Sequence, residues 1–305
     1  MVTPRKDKSS RKSDTDSQPG PIAVVGIGRV GTALAWSLHT AGYRIADLVV
    51  RRKPSAAQTK LAQDVGASLV QFAQWQNSTA QTIWLCVPDD ALAETVGSLH
   101  QPAHLAARTW LHTSGSRSYR ELLPLKSRTT VIGAAHPFRS FPQAERAELS
   151  ETYFGIEGEK AARDAATAMV WRMGGLPFTL KAGTDKALYH AFGTFASPLL
   201  TALLAAGAEL GERAGIPPEI VPRLLASLAG GTFTNWQHKG AAQGLSGPIP
   251  RGDIETIELH LASLTGMPEL HEVYRALSVY AATSLPARRR AALLKALRIA
   301  KAGQP

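Results

Sequence analysis

One short stretch constrains this chain more than any other. Ile22-Ala23-Val24-Val25 runs straight into Gly26-Ile27-Gly28-Arg29-Val30-Gly31, and Val30, Leu34 and Leu38 then repeat at helical spacing. An apolar strand, a Gly-x-Gly-x-x-Gly turn and an amphipathic helix in that order make a dinucleotide-binding βα unit. Gly26 permits the tight turn out of the strand, and Gly28 lets a pyrophosphate approach the backbone. Gly31 lets the helix lie close to the strand, and the helix N-terminus offers free N–H groups to the phosphates, with Arg29 and Val30 in its first turn. A glycine-rich turn without a ligand is the plain alternative.

The next strand narrows the cofactor. About twenty residues past the last glycine, an NAD site usually carries Asp or Glu for the ribose 2′-hydroxyl. Here the chain reads Arg51-Arg52-Lys53, with Ser55 following. A carboxylate would repel a 2′-phosphate, whereas a guanidinium fork matches it, so NADP(H) is favoured over NAD(H).

The pattern around this unit is an α/β one. Short apolar runs at Ile22–Gly26, Arg44–Arg51, Ser68–Gln71, Thr82–Val87, Thr109–His112 and Thr130–Ala135 alternate with helical segments. A strand–helix–strand over Tyr153–Ile156, Ala161–Met173 and Pro177–Lys181 follows. Nearly all-apolar strands such as Thr82–Val87 suit a parallel sheet covered on both faces. After Lys181 only helices are expected: Asp185–Arg213, Pro217–Ala229, Thr234–Ala242, Gly252–Leu264, Pro268–Ser284 and Pro286–Ala302. Pro198 should kink or split the first of these. The expected organisation is a disordered tail at 1–20, a Rossmann-type domain at 21–181 and an all-helical substrate and dimerisation domain at 182–305.

Composition excludes several other classes. Apolar residues make up 44% of 305, enough for a sizeable core. Of the net charge of +10, the first twenty residues hold +2 and Arg288–Lys301 holds +6, so the body is almost neutral. The terminal segment places Leu293, Leu297 and Ala300 on one helix face and Arg288, Lys295 and Arg298 on another. A docked, solvated helix explains that pattern, and no nucleic-acid-binding motif accompanies it. No apolar stretch is expected to reach the ~18–20 residues of a membrane span, and Met1–Gly20 has no secretory core. The single cysteine, Cys86, lies in an apolar run and reads as a buried thiol in a reducing, cytoplasmic setting.

Candidate chemistry collects at strand ends. Val87-Pro88-Asp89-Asp90 should edge the nicotinamide ribose, although Asp89 or Asp90 is equally a helix N-cap. His112-Thr113-Ser114-Gly115-Ser116 offers hydroxyls and amides to nicotinamide or substrate, with Ser114 and Gly115 the leading positions. His136, just before Pro137, is placed to polarise a carbonyl or bind a carboxylate, with a satisfied structural histidine the plain alternative. Lys186 and His190, four apart on one helix face, are candidate proton donors for a developing alkoxide. Asn235 and Arg251 are candidates for gripping a substrate carboxylate, with an Arg251–Asp253 pair the structural alternative. No metal site is expected; His100 and His104 have ligand-like spacing without a third partner.

These residues form an ordered set. The glycine loop with Arg51, His112–Gly115, His136-Pro137 with Phe141, Lys186 with Tyr189-His190-Ala191, and Ser246-Gly247-Pro248-Ile249 with Arg251-Gly252-Asp253 resemble the bacterial Rossmann-like oxidoreductases whose C-terminal half is the domain of unknown function DUF2520. More distantly the layout is similar to pyrroline-5-carboxylate reductase, ketopantoate reductase, prephenate dehydrogenase and 6-phosphogluconate dehydrogenase-like enzymes. The resemblance implies a homodimer built through the helical domain, NADP(H) chemistry and a small-molecule substrate, with a 2-oxo acid the leading class. A cyclic imine, or a non-catalytic NADP(H)-binding scaffold, are the rivals. That family usually carries Asn where this chain has Pro198, so a contact to substrate or nicotinamide is lost if the Asn makes one.

Overall fold

The computed structural model describes residues 20–75, 77–99 and 108–299. The tail expected at 1–20 therefore lies, but for Gly20, outside the described residues, as do His100, His104 and Ala300.

The compact unit ending at Thr194 is built on eight strands: β1 (Ile22–Val25), β2 (Ile45–Val50), β3 (Ser68–Gln71), β4 (Thr82–Leu85), β5 (Thr109–His112), β6 (Val131–Phe138), β7 (Tyr153–Gly158) and β8 (Leu176–Thr179). They lie in the order β3-β2-β1-β4-β5-β6-β7-β8. The pairings from β3 to β6 are parallel, β7 runs antiparallel to β6, and β8 is parallel to β7. Connecting them are helices α1 (Arg29–Thr40), α2 (Ala56–Val65), α3 (Leu92–Leu99) and α4 (Lys160–Arg172). The strand order reverses at β1/β4, which opens a crevice at the carboxyl ends of these strands.

Both sheet faces are buried, as the all-apolar strands require. In β1, Ile22 and Val24 join one core with Leu34 and Leu38 of α1, while Ala23 and Val25 join another with Leu92 and Val96 of α3. Leu34 and Leu38 are fully enclosed, so the helix that follows the glycine loop is clamped on the sheet. The strand register is thereby fixed, because a one-residue slip would exchange the two cores.

The chain then continues through α5 (Lys186–Ala196), whose residues up to Thr194 belong to the sheet unit. The unit from Phe195 onward holds α6 (Pro198–Arg213), α7 (Val221–Gly244), the single turn α8 (Pro248–Arg251), α9 (Ile254–Ser263), α10 (Pro268–Ser284) and α11 (Arg290–Ile299). Pro198 splits the expected long helix at Ser197 and becomes a first-turn residue of α6, where its missing N–H costs nothing. Leu293 and Leu297 of α11 are fully buried, and Lys295 and Arg298 face out.

Four expectations need correction. The helices placed at Pro217–Ala229 and Thr234–Ala242 run together in α7, which is interrupted at Gly240, where φ 72° and ψ 173° are not helical. It starts at Val221, because Pro217 and its neighbours form a preceding turn. Pro248–Arg251, outside the expected helices, is one helical turn closed by Gly252 at φ 69°. The absence of a long apolar stretch also fails: an 18-residue window within Lys186–Arg213 reaches mean hydropathy 1.5, enough to pass as a span by composition. The break at Ser197 divides that segment into 11 and 16 residues, each short of the ~20 a span needs.

Candidate active site

The glycine loop does what its sequence demands. Gly26 sits at φ 91°, and a Cβ there would lie 2.6 Å from the Cys86 carbonyl oxygen. A Cβ on Gly31 would collide with the Gly26 carbonyl oxygen, so only glycine lets α1 start this close to β1. At Gly28 the corresponding space is open. A residue that sequence reasoning missed steadies the loop: Gln58 donates its side-chain amide to the Ile27 carbonyl at 2.8 Å. Gln58 in turn forms a reciprocal capping box with Ser55 at the start of α2. Ser55 is thus engaged as a helix cap and does not line the clefts described below.

Two clefts open at this strand edge. The first, of about 440 Å³, is walled by Gly26, Val49, Arg51, Arg52, Val87, Pro88 and Glu94. Arg51 Nη2 lies 3.1 Å from Glu94 Oε1, with both side chains mostly exposed. Such a pair is worth roughly 0–1 kcal/mol, so a bound phosphate can take the guanidinium over. A glycine cradle with open space at Gly28, beside two guanidinium groups, fits a dinucleotide carrying a 2′-phosphate.

The second cleft, of about 750 Å³, is lined by Gly28, Arg29, Val30, Cys86, Val87, Pro88, Asp89, Thr113, Ser114, Gly115, His136, Arg139, Phe141 and His190, among others. Val87 and Pro88 border both clefts. Burial pushes the Cys86 thiol up to about 12, with a Thr113 hydrogen bond opposing, so the group stays an inert thiol.

His112 closes β5 and is wholly enclosed. Its Nδ1 accepts from the Ser114 N–H at 3.1 Å, which places the ring proton on Nε2, 3.1 Å from the Ser118 carbonyl oxygen. Burial lowers its pKa to about 4, so it is a neutral clip that shapes the Thr113–Ser118 turn. Ser114 Oγ accepts from the Arg117 N–H at 3.0 Å. The Asp89 carboxylate accepts a hydrogen bond from Ser116. Burial raises its pKa, but hydrogen bonds from Ser116 and Ser114 and the fields of His190 and Arg117 outweigh that and hold it ionised. The cleft therefore carries the Asp89 carboxylate of the turn expected to edge the nicotinamide ribose.

His136, Gly115 and His190 meet at one wall. A Cβ on Gly115 would lie 2.7 Å from His136 Nε2 and 2.9 Å from His190 Cδ2, so the glycine makes room for both rings. His136 Nδ1 is 3.1 Å from the Tyr189 hydroxyl, and its ring meets those of Phe138 and Tyr189 edge-on. Burial, then the charge of Lys186 and the neighbouring His190, depress its pKa to about 4. Lys186 itself stands behind this wall. Its ammonium pairs with Glu157 at 2.9 Å, with both side chains largely buried, and lies 4.5 Å from the Tyr189 ring centre. It does not line the cleft. Arg139 does, with one guanidinium N–H given to the Glu148 carbonyl.

Asn235 and Arg251 belong to the helical unit. Asn235 is exposed on α7. Arg251, at the end of α8, lies 3.6 Å from Asp253, whose carboxylate also caps α9. No group of three or more potential metal ligands occurs among the described residues.

Two family models match the chain, and the second begins inside the sheet unit, at β7. A Rossmann-like domain matches residues 6–137, and DUF2520, a domain of unknown function, matches residues 152–281. No curated protein sequence is significantly similar. Among solved structures, an NADP oxidoreductase-type protein from Bacteroides fragilis superposes with a TM-score of 0.68 at 22% identity, covering 86% of this chain and 97% of its own. A protein from Thermotoga maritima gives 0.64 at 20%, covering 92% and 99%. A pyrroline-5-carboxylate reductase from Coxiella burnetii gives 0.55 at 15%, covering 93% and 98%. At these identities the likeness establishes a shared fold.

Proposed function

We propose that this chain, which joins a Rossmann-like domain to a DUF2520 domain, is an NADPH-dependent reductase of a small carboxylate-bearing carbonyl compound, a 2-oxo acid being the leading class. The observation that carries this reading is a glycine cradle flanked by two clefts, one holding Arg51 and Arg52 and the other His136, His190 and Asp89. The names of the matched structures, an NADP oxidoreductase and a pyrroline-5-carboxylate reductase, support the reaction class.

In this reading the bound nicotinamide supplies hydride from its C4. Gly28, Arg29 and the N–H groups opening α1 hold the pyrophosphate, and Arg51 and Arg52 hold the 2′-phosphate. His136, neutral at pH 7, polarises the carbonyl by hydrogen bonding, much as a neutral imidazole does in other enzymes of carbonyl chemistry. His190 delivers the proton to the developing alkoxide. Arg139 provides a guanidinium for the carboxylate within this cleft, and Asn235 and Arg251 are retained as candidates from the helical unit. Lys186 acts on Tyr189 and His136 and does not itself meet substrate.

A second reading changes the electrophile to an imine. The ionised Asp89 favours it, because a carboxylate in the cleft stabilises an iminium. NADPH-oxidation assays on matched panels of 2-oxo acids and cyclic imines separate the two. Turnover of 2-oxo acids is expected; activity confined to imines would reject the carbonyl version, and binding of NADPH with no turnover of either panel would indicate a non-catalytic scaffold.

The quaternary proposal is a homodimer through the helical unit. Phe195, Leu199, Leu203, Leu224, Leu228, Phe233 and Trp236 are all exposed, a far larger apolar face than a soluble monomer usually shows. A second copy is the occupant that also explains why the apolar run Lys186–Arg213 is left uncovered. The reductase is assigned to the cytoplasm, where the buried Cys86 stays reduced.

A further inference from the structure

We infer that Tyr189 is a positioning residue: its hydroxyl donates to His136 Nδ1 and so fixes the imidazole proton on Nε2, facing the cleft. This rests on the reading that His136 meets substrate, but its geometry stands independently.

Four observations converge. First, the hydroxyl lies 3.1 Å from His136 Nδ1. Second, no other hydrogen bond to this hydroxyl is found among the described residues. If Nδ1 were the donor, the phenol proton would have no acceptor among the described residues; with the phenol as donor, the imidazole nitrogen and the hydroxyl are both satisfied. Burial and the nearby Glu157 raise the Tyr189 pKa, so a phenol proton is always present to donate. Third, the hydroxyl occupies a niche built for it. A Cβ on Gly155, the residue of β7 paired with His136, would collide with the Tyr189 oxygen. Fourth, His136 Nε2 lies over Gly115 on the cleft wall, and no described hydrogen bond reaches it.

The groups bearing on the ring explain why a tautomer, not a charge, is being set. Lys186, from α5, and His190 and His112 oppose protonation of His136, and Asp89 alone favours it. Lys186 is held by Glu157 and sits against the Tyr189 ring, so the cation that adds to burial in keeping His136 neutral also steadies its partner. A neutral imidazole has one proton to place, and the hydrogen bond at Nδ1 decides where it goes. The sequence spacing is consistent with this design: Lys186, Tyr189 and His190 fall within one turn of α5, so they share its inward side.

The test is a long-range ¹H–¹⁵N spectrum of the full chain labelled with ¹⁵N-histidine, with His136 assigned by loss of its signals in His136→Gln. The wild type should show protonated Nε2 and bare Nδ1, unchanged from pH 8 to pH 5.5. Tyr189→Phe should give a mixture of tautomers, with kcat reduced about tenfold and KM little changed, as expected for a lost charge-free hydrogen bond of roughly 1.4 kcal/mol. Gly155→Ala, which keeps the phenol but fills its niche, should shift the tautomer the same way. A wild-type ring protonated at Nδ1, or an unchanged Nε2–H form in Tyr189→Phe, overturns the inference. The spectrum needs no turnover: a tautomer shift without any reductase activity would sink the functional reading and leave the role of Tyr189 intact.

Discussion

The sheet unit and the helical unit place their apolar residues differently. In the sheet unit, both faces of β1, β2, β4 and β5 are covered, and large side chains such as Trp84, Phe154, Leu34 and Leu38 are sealed. In the helical unit the buried cluster is small, Ile257, Leu261, Ala282, Leu293 and Leu297, all from α9 to α11. Helices α6 and α7 pack on one another, with Gly207 against Leu225 and Gly211 against Val221, yet their other apolar faces are exposed. The first unit buries a large core of its own, whereas the second leaves much of the apolar surface of α6 and α7 exposed.

Substitutions at equal-sized residues break this comparison most sharply. Leu38→Ala, in the sheet unit, should cost about 2–5 kcal/mol of stability through the cavity it leaves, measured by urea unfolding. Leu228→Glu, on the exposed face of α7, should cost the monomer less than about 0.5 kcal/mol. It should nevertheless shift the protein from dimer to monomer in sedimentation at micromolar concentration. A wild type that is monomeric there would show that the apolar face has another occupant.

A smaller effect sharpens the same contrast by pH. His112 has a folded pKa of about 4, below its ordinary value of 6.5, so the unfolded chain binds more protons between those limits. Stability therefore rises with pH through that window and is lost on acidification. Going from pH 7 to pH 5 should cost about 2 kcal/mol from this group, with tryptophan fluorescence of Trp84 and Trp110 reporting the sheet unit. His112→Asn should flatten that dependence by a similar amount.

How much of this was legible in the sequence follows from the range of the interactions. The glycine loop was readable because each glycine answers a local backbone need, and the split at Pro198 because proline acts on its own turn. The parallel sheet was readable from all-apolar strands. What stayed hidden joins residues far apart in the chain. Tyr189 finds His136 across 53 positions, Arg51 finds Glu94 across 43, and Ser116 finds Asp89 across 27. No periodicity marks such pairs. Gly155 carries a faint local signal, a glycine inside an apolar strand, which often marks a close approach. The fusion of two expected helices into α7 was masked by Gly230 and Gly231, which weaken helical propensity without breaking the helix.

The central claim is that the Gly26–Gly31 cradle and the guanidinium of Arg51 together select NADP(H). Its most direct test is a fluorescence titration of NADPH and NADH into the wild type and Arg51→Ala. The account expects saturable binding in which NADPH is favoured by about tenfold or more, the worth of a charge-assisted contact to the 2′-phosphate. That preference should collapse in Arg51→Ala while NADH binding stays within about twofold. Equal affinity for the two cofactors in the wild type, or a preference untouched by the substitution, would contradict it.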